Sequence, residues 1–170
     1  MDIQSLELLA NLAEIFGVLA VVGSLAYVGI QIRHNMQATQ ITAAQVHLEG
    51  YRAIAGNLVR APGMADVFRR GLEGFSGLKD DEPMRFFAHL SMVLNFSEAS
   101  YLQWKRGVLF EEQWTGVNAS TTDIMAMPGA QTYWSHRRHW FSSDFQTWID
   151  DIIRMDESKP LYPDRLSQSE

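Results

Sequence analysis

The side chains best placed to do chemistry in this 170-residue chain sit in one stretch, Ser135-His136-Arg137-Arg138-His139. His136 and His139 are three apart, which on a helix puts both imidazoles on one face at metal-ligand spacing. A third ligand would have to come from Glu98, Glu111, Glu112 or Asp144, which qualify by type alone. Arg137 and Arg138 would repel a cation, and a polar half-turn between Trp134 and Trp140 is what any amphipathic helix shows. No metal and no cofactor is therefore expected. The chain holds no Glu-x-x-His, His-Glu-x-x-His or Gly-x-Ser-x-Gly sequence and no Gly-rich phosphate loop. It has no cysteine, which removes thiolate catalysis and Cys-based zinc sites. No catalytic residue is assigned, and the expectation is a protein that is not an enzyme.

A different kind of site is suggested by Glu98 and Arg138. Glu98 falls between Leu94 and Tyr101 on the apolar side of its helix, and Arg138 shares the spacing of Trp134, Phe141 and Phe145. Two charges aimed into one apolar interior must pair or neutralise. The expectation is a buried Glu98–Arg138 ion pair, with Tyr101 or Tyr133 completing its hydrogen bonds. An anionic ligand held by Arg138 is the alternative. His89, Glu111 and Glu112 read as ordinary surface or cap residues.

The elements that must position these residues begin with a segment free of charge. Ile15 to Ile32 carries no charged side chain, with Glu14 before it and Arg33 and His34 after it. Eighteen residues of helix span roughly 27 Å, close to the hydrocarbon thickness of a bilayer. A secretory signal is disfavoured because Asp2, Glu7 and Glu14 precede the run where a signal needs positive charge. A buried central helix of a soluble bundle is the other rival. All 14 Lys and Arg residues lie at Arg33 or beyond, so the positive-inside rule places the body of the chain in the cytoplasm. The net charge of −6 leaves no basic face for phosphates, and no nucleic-acid partner is expected.

The first helix should run from about Ser5 to about Arg60, where Ala61-Pro62-Gly63 ends it. A heptad line runs through Ala13, Ala20, Tyr27, His34, Ile41, Leu48 and Ala55, interleaved with Ala10, Gly17, Ser24, Gln31 and Ala38. Within the apolar run the seam is small: Ala13, Gly17, Ala20 and Ser24, closing with Tyr27 and Gln31. Small residues let helices approach closely in lipid. Ile41 and Leu48 enlarge the seam beyond it, as a helix pair in water requires.

Further helices are predicted over Met64–Leu72, from Asp80-Asp81-Glu82-Pro83 to about Arg106, over Phe110–Met125, and beyond Pro128-Gly129 with a break near Ser142-Ser143. Their buried stripes are Phe87, Leu90, Leu94, Tyr101 and Trp104; Phe110, Trp114, Val117 and Ile124; and Trp134, Phe141, Phe145, Trp148 and Ile152. The five tryptophans read as core, or in part as residues resting on a bilayer surface. No stretch alternates with period two, so the fold class is all-α. The organisation is a membrane-spanning helix over 1–33, a cytoplasmic helical bundle over 34–156 and a flexible tail over 157–170.

The order of these features resembles a bacterial family of small membrane proteins with one N-terminal span followed by a helical domain. The residues that carry the likeness are Gln31-Ile32-Arg33-His34-Asn35 after the span, Asn95, Phe96 and Glu98, then Pro128, Gly129 and Trp134, and Phe141, Ser142 and Phe145. The resemblance implies a single-pass protein of a bacterial inner membrane and brings no catalytic residue. The pattern usually continues with an arginine after Pro-Gly; this chain has Ala130 and Gln131, so no role for such an arginine transfers. The functional expectation is a membrane-anchored interaction and assembly protein, held in the lipid bilayer by its first helix and forming a homo-oligomer or docking on a membrane protein partner through that helix. A homo-oligomeric pore lined by Ser24, Tyr27 and Gln31 is the alternative, and a ligand- or metal-binding helical domain stands third.

Overall fold

The structure is a computed structural model and describes the backbone of residues 3–155 and the side chains from Glu14 onward. The tail expected over 157–170 and the side chains of Ala10 and Ala13 lie outside the described residues. Every regular element among them is helical, as the missing period-two alternation requires. The helices are α1 (Ile3–Arg60), α2 (Met64–Glu73), α3 (Glu82–Lys105), α4 (Glu111–Met125), α5 (Pro128–Arg137) and α6 (Ser143–Met155). The chain divides into two units between Thr42 and Ala43, inside α1.

In the first unit no described side chain of α1 is buried. From Ile15 to Ile32 its large apolar residues are between 48% and 68% exposed. Among the described residues one helix is therefore long and apolar enough to cross a membrane, and none of its apolar window is buried.

The second unit is a bundle. The last part of α1 packs on α3: His47 lies with its ring 4.7 Å from Phe96 and its Nδ1 3.2 Å from the Ser100 hydroxyl. Ala61-Pro62-Gly63 stops the helix as expected, with Gly63 at φ 72° opening α2. Arg70 then ties α2 to the start of α3, bonding Asp66 at 2.8 Å and Glu82 at 2.7 Å. Glu82 also accepts the Lys79 amide at 2.9 Å, capping the turn before α3. Gly107, at φ 69°, turns the chain out of α3.

The core is built from one face of each helix: Phe86, Leu90 and Leu94 of α3, Trp114, Val117 and Met125 of α4, Tyr133 and Trp134 of α5, and Phe145 and Ile149 of α6. These include much of the stripe read from sequence; Phe87, Trp104, Ile124, Trp148 and Ile152 are only half-buried, and Phe110 is exposed. Tyr101 stacks on Trp148 at 5.4 Å and Trp104 on Trp114 at 4.9 Å. Each such pair adds about 0.5–1.5 kcal/mol beyond its buried area. Two hydroxyl pairs cross the interior, Ser97 with Thr121 at 2.8 Å and Ser91 with Tyr133 at 2.6 Å. Burial pushes the Tyr133 phenol up, so it stays a neutral partner for Ser91.

Candidate functional site

Two places in the chain are not explained by its own core. The first is the apolar stretch of α1. Gly17, Ala20, Ser24, Tyr27 and Gln31 are all exposed. A Cβ added to Gly17, Gly23 or Gly29 would meet no atom within 4 Å. Glycine inside a helix costs about 0.5–1 kcal/mol against alanine, so these positions gain nothing from the chain's own packing. Ser24 turns its hydroxyl back to the carbonyls of Ala20 and Val21, at 2.9 and 2.8 Å. Its polar group is thereby satisfied within the helix, which suits an apolar surrounding. Further along, Ile41 and Leu48 of the heptad line are exposed, while His47, Gly50 and Asn57 face α3.

The second place is the corner where α5 gives way to α6. Arg138 does not pair with Glu98. It grips Asp150 with Nε at 3.0 Å and Nη2 at 2.6 Å, and the Trp134 indole N–H donates to the same carboxylate at 2.8 Å. Arg138's hydrogen bonds hold the Asp150 carboxyl below its ordinary range, and the Trp134 hydrogen bond adds to the effect. Glu98 instead accepts the Ser142 amide at 2.6 Å, placing a carboxylate at the N-terminal end of α6. Tyr133 bonds Ser91 rather than completing a charged pair.

The correction has a physical cause. On one continuous helix Arg138 would share the buried stripe of Trp134 and Phe141, but α5 ends at Arg137 and Arg138–Trp140 forms a 3-10 turn. That turn swings Arg138 to the surface, where α6 supplies its partner.

The remaining polar residues separate. His136 turns Nδ1 to the Thr132 carbonyl at 2.8 Å, and His139 lies against Trp140. Among the described residues no three His, Asp or Glu side chains converge on a point where a metal ion would sit. Glu111 takes the Trp104 indole N–H at 2.6 Å. A groove of about 700 Å³ between α4, α5 and α6 is lined by Asn118, Thr122, Asp123, Gln131, Trp148 and Ile152 among others.

Sequence reasoning missed one residue. His89 is not at the surface but 2% exposed, edge-on to Phe68, with neither ring nitrogen hydrogen-bonded. Its helical neighbours Phe86, Leu90 and Val93 were the signal, since they widen the apolar stripe of α3 to include it.

No protein family, no curated protein and no solved structure matches this chain.

Proposed function

We propose that this is a single-pass, membrane-anchored assembly protein of a bacterial inner membrane, its helical domain in the cytoplasm and its copies joined along α1. The observation that carries the reading is the run Ile15–Ile32, which is uncharged and exposed among the described residues. Left in water, such a surface costs about 25 cal/mol for every Å² of apolar area. A bilayer removes that cost along the whole run.

Self-association is favoured by the seam Gly17, Ala20, Ser24, Tyr27 and Gln31, which leaves a shallow track for a second helix. The Ser24 hydroxyl, bonded to its own backbone, supports packing over the pore reading, where it would face water. The bundle then serves as the part presented to other molecules, consistent with its well-formed core.

Because the chain has no cysteine, single-cysteine scanning is clean. The full chain in native membranes should resist alkaline extraction. Cysteines at Gly17, Ser24 and Gln31 should cross-link between copies, while cysteines at Val18 and Val22 should not. Extraction into the soluble fraction would refute the anchor; cross-linking that ignores helical phase would refute the seam.

A further inference from the structure

Trp140 is the exception among the five tryptophans. It is 59% exposed, and the other four are buried or half-buried. It borders a groove of about 380 Å³ between α3 and the end of α5, whose lining includes Met84, Phe87, Ala88 and Ser91, with Arg137 at its edge. Met84 is 74% exposed. The Arg137 guanidinium lies 4.7 Å from the Trp140 ring and 5.7 Å from that of Phe87. It makes no salt bridge among the described residues. The carboxylates on the flanking elements are otherwise engaged or outside the lining: Asp150 is held by Arg138 and Glu82 by Arg70, while Asp80 and Asp81 stand in the turn before α3.

An unpaired cation stacked on aromatic rings, above an apolar groove with an exposed indole and thioether, matches one kind of surface. Arginine takes phosphate oxygens in its fork, and tryptophan settles where headgroups meet acyl chains. We infer that the Met84–Arg137–Trp140 face docks on the headgroup layer of an anionic bilayer, with Arg137 on lipid phosphate and Trp140 and Met84 inserted beside it. The inference rests on the membrane-anchored reading, because α1 would hold the domain at high effective concentration beside such a surface.

The test uses the full chain in vesicles, with a bimane fluorophore on Met84→Cys, Leu25→Cys or, as a control, Thr115→Cys. Nitroxide-bearing lipids act as the quencher. Quenching at position 84 is expected in vesicles containing phosphatidylglycerol, and to be lost in pure phosphatidylcholine or at high salt. Arg137→Gln should weaken it about fivefold, the effect of one basic residue near an anionic surface, with an unchanged melting temperature. Position 115 should stay unquenched.

Equal quenching at 84 in both lipids, none in either included, or no effect of Arg137→Gln, overturns the proposal. Protection at 84 that ignores lipid charge and grows with protein density assigns the face to a second copy and also overturns it. Position 25 separates the two readings. Quenching there without quenching at 84 keeps the anchor and rejects the docking; the reverse keeps the docking and rejects the anchor.

Discussion

Gly129 of α5 rests on the carbonyl of Gly71 in α2, backbone against backbone. A Cβ on Gly129 would overlap the Gly71 carbonyl oxygen, and one on Gly71 would overlap the Phe86 ring. The two helices cross at the one point in each where no side chain intervenes, and Phe86, fully buried, closes the gap beneath them.

Gly129→Ala should therefore force α2 and α5 apart. A loss of about 3 kcal/mol or more is expected, the scale of an overpacked core. Gly116, in α4, has open space where its Cβ would be. Gly116→Ala should raise stability by about 0.5–1 kcal/mol through helix propensity alone. Urea unfolding of both variants checks the contrast.

Double-mutant cycles should separate Arg138's real partner from the one its sequence position suggested. Arg138→Gln and Asp150→Asn should couple, whereas Arg138→Gln and Glu98→Gln should add within about 0.5 kcal/mol. Asp150→Ala should cost more than Arg138→Gln, by about 1 kcal/mol, because it also strands the buried Trp134 indole N–H. The exposed arginine loses only a pair that solvent already screens.

His89 should make the bundle sensitive to mild acid. Burial lowers its pKa from the ordinary 6.5, so the unfolded chain takes up a proton before the folded one does. Stability is then full above pH 6.5 and falls as pH drops below it, until the lowered folded value is reached. His89→Leu should flatten that slope and add about 1 kcal/mol at pH 5 by removing two unpaired buried nitrogens. A variant with the parent's slope between pH 7 and 5 would contradict this.

Glu82 acts lower on the scale. The Arg70 guanidinium, together with the Lys79 amide, holds its carboxyl down to about 2 from the ordinary 4.5. Its contribution is complete above pH 4.5 and disappears as pH falls toward 2. Glu82→Gln should remove that part of the acid transition and leave the His89 part in place. Melting temperatures between pH 7 and 3 resolve the two.

Much of this architecture is written locally. The uncharged run Ile15–Ile32, the stop at Ala61-Pro62-Gly63, the acidic start at Asp80–Pro83 and the turn at Gly107 each depend on a few neighbouring residues, so the helices followed from the chain. Local pattern also gave much of the buried face of α3, α4 and α6, as Leu90, Leu94, Trp114 and Phe145 show, but not that of α1, where Ile41 and Leu48 are exposed and His47 and Gly50 face α3.

What only the tertiary structure decided is who meets whom. Asp150 is twelve residues from Arg138 and Ser142 is forty-four from Glu98, and a 3-10 turn redirects the arginine between them. The contact of Gly71 with Gly129 and the burial of His89 likewise depend on how separate helices cross. Periodicity fixes a direction around a single helix axis. Partners across axes are set by packing, and a one-turn change at Arg138 was enough to exchange them.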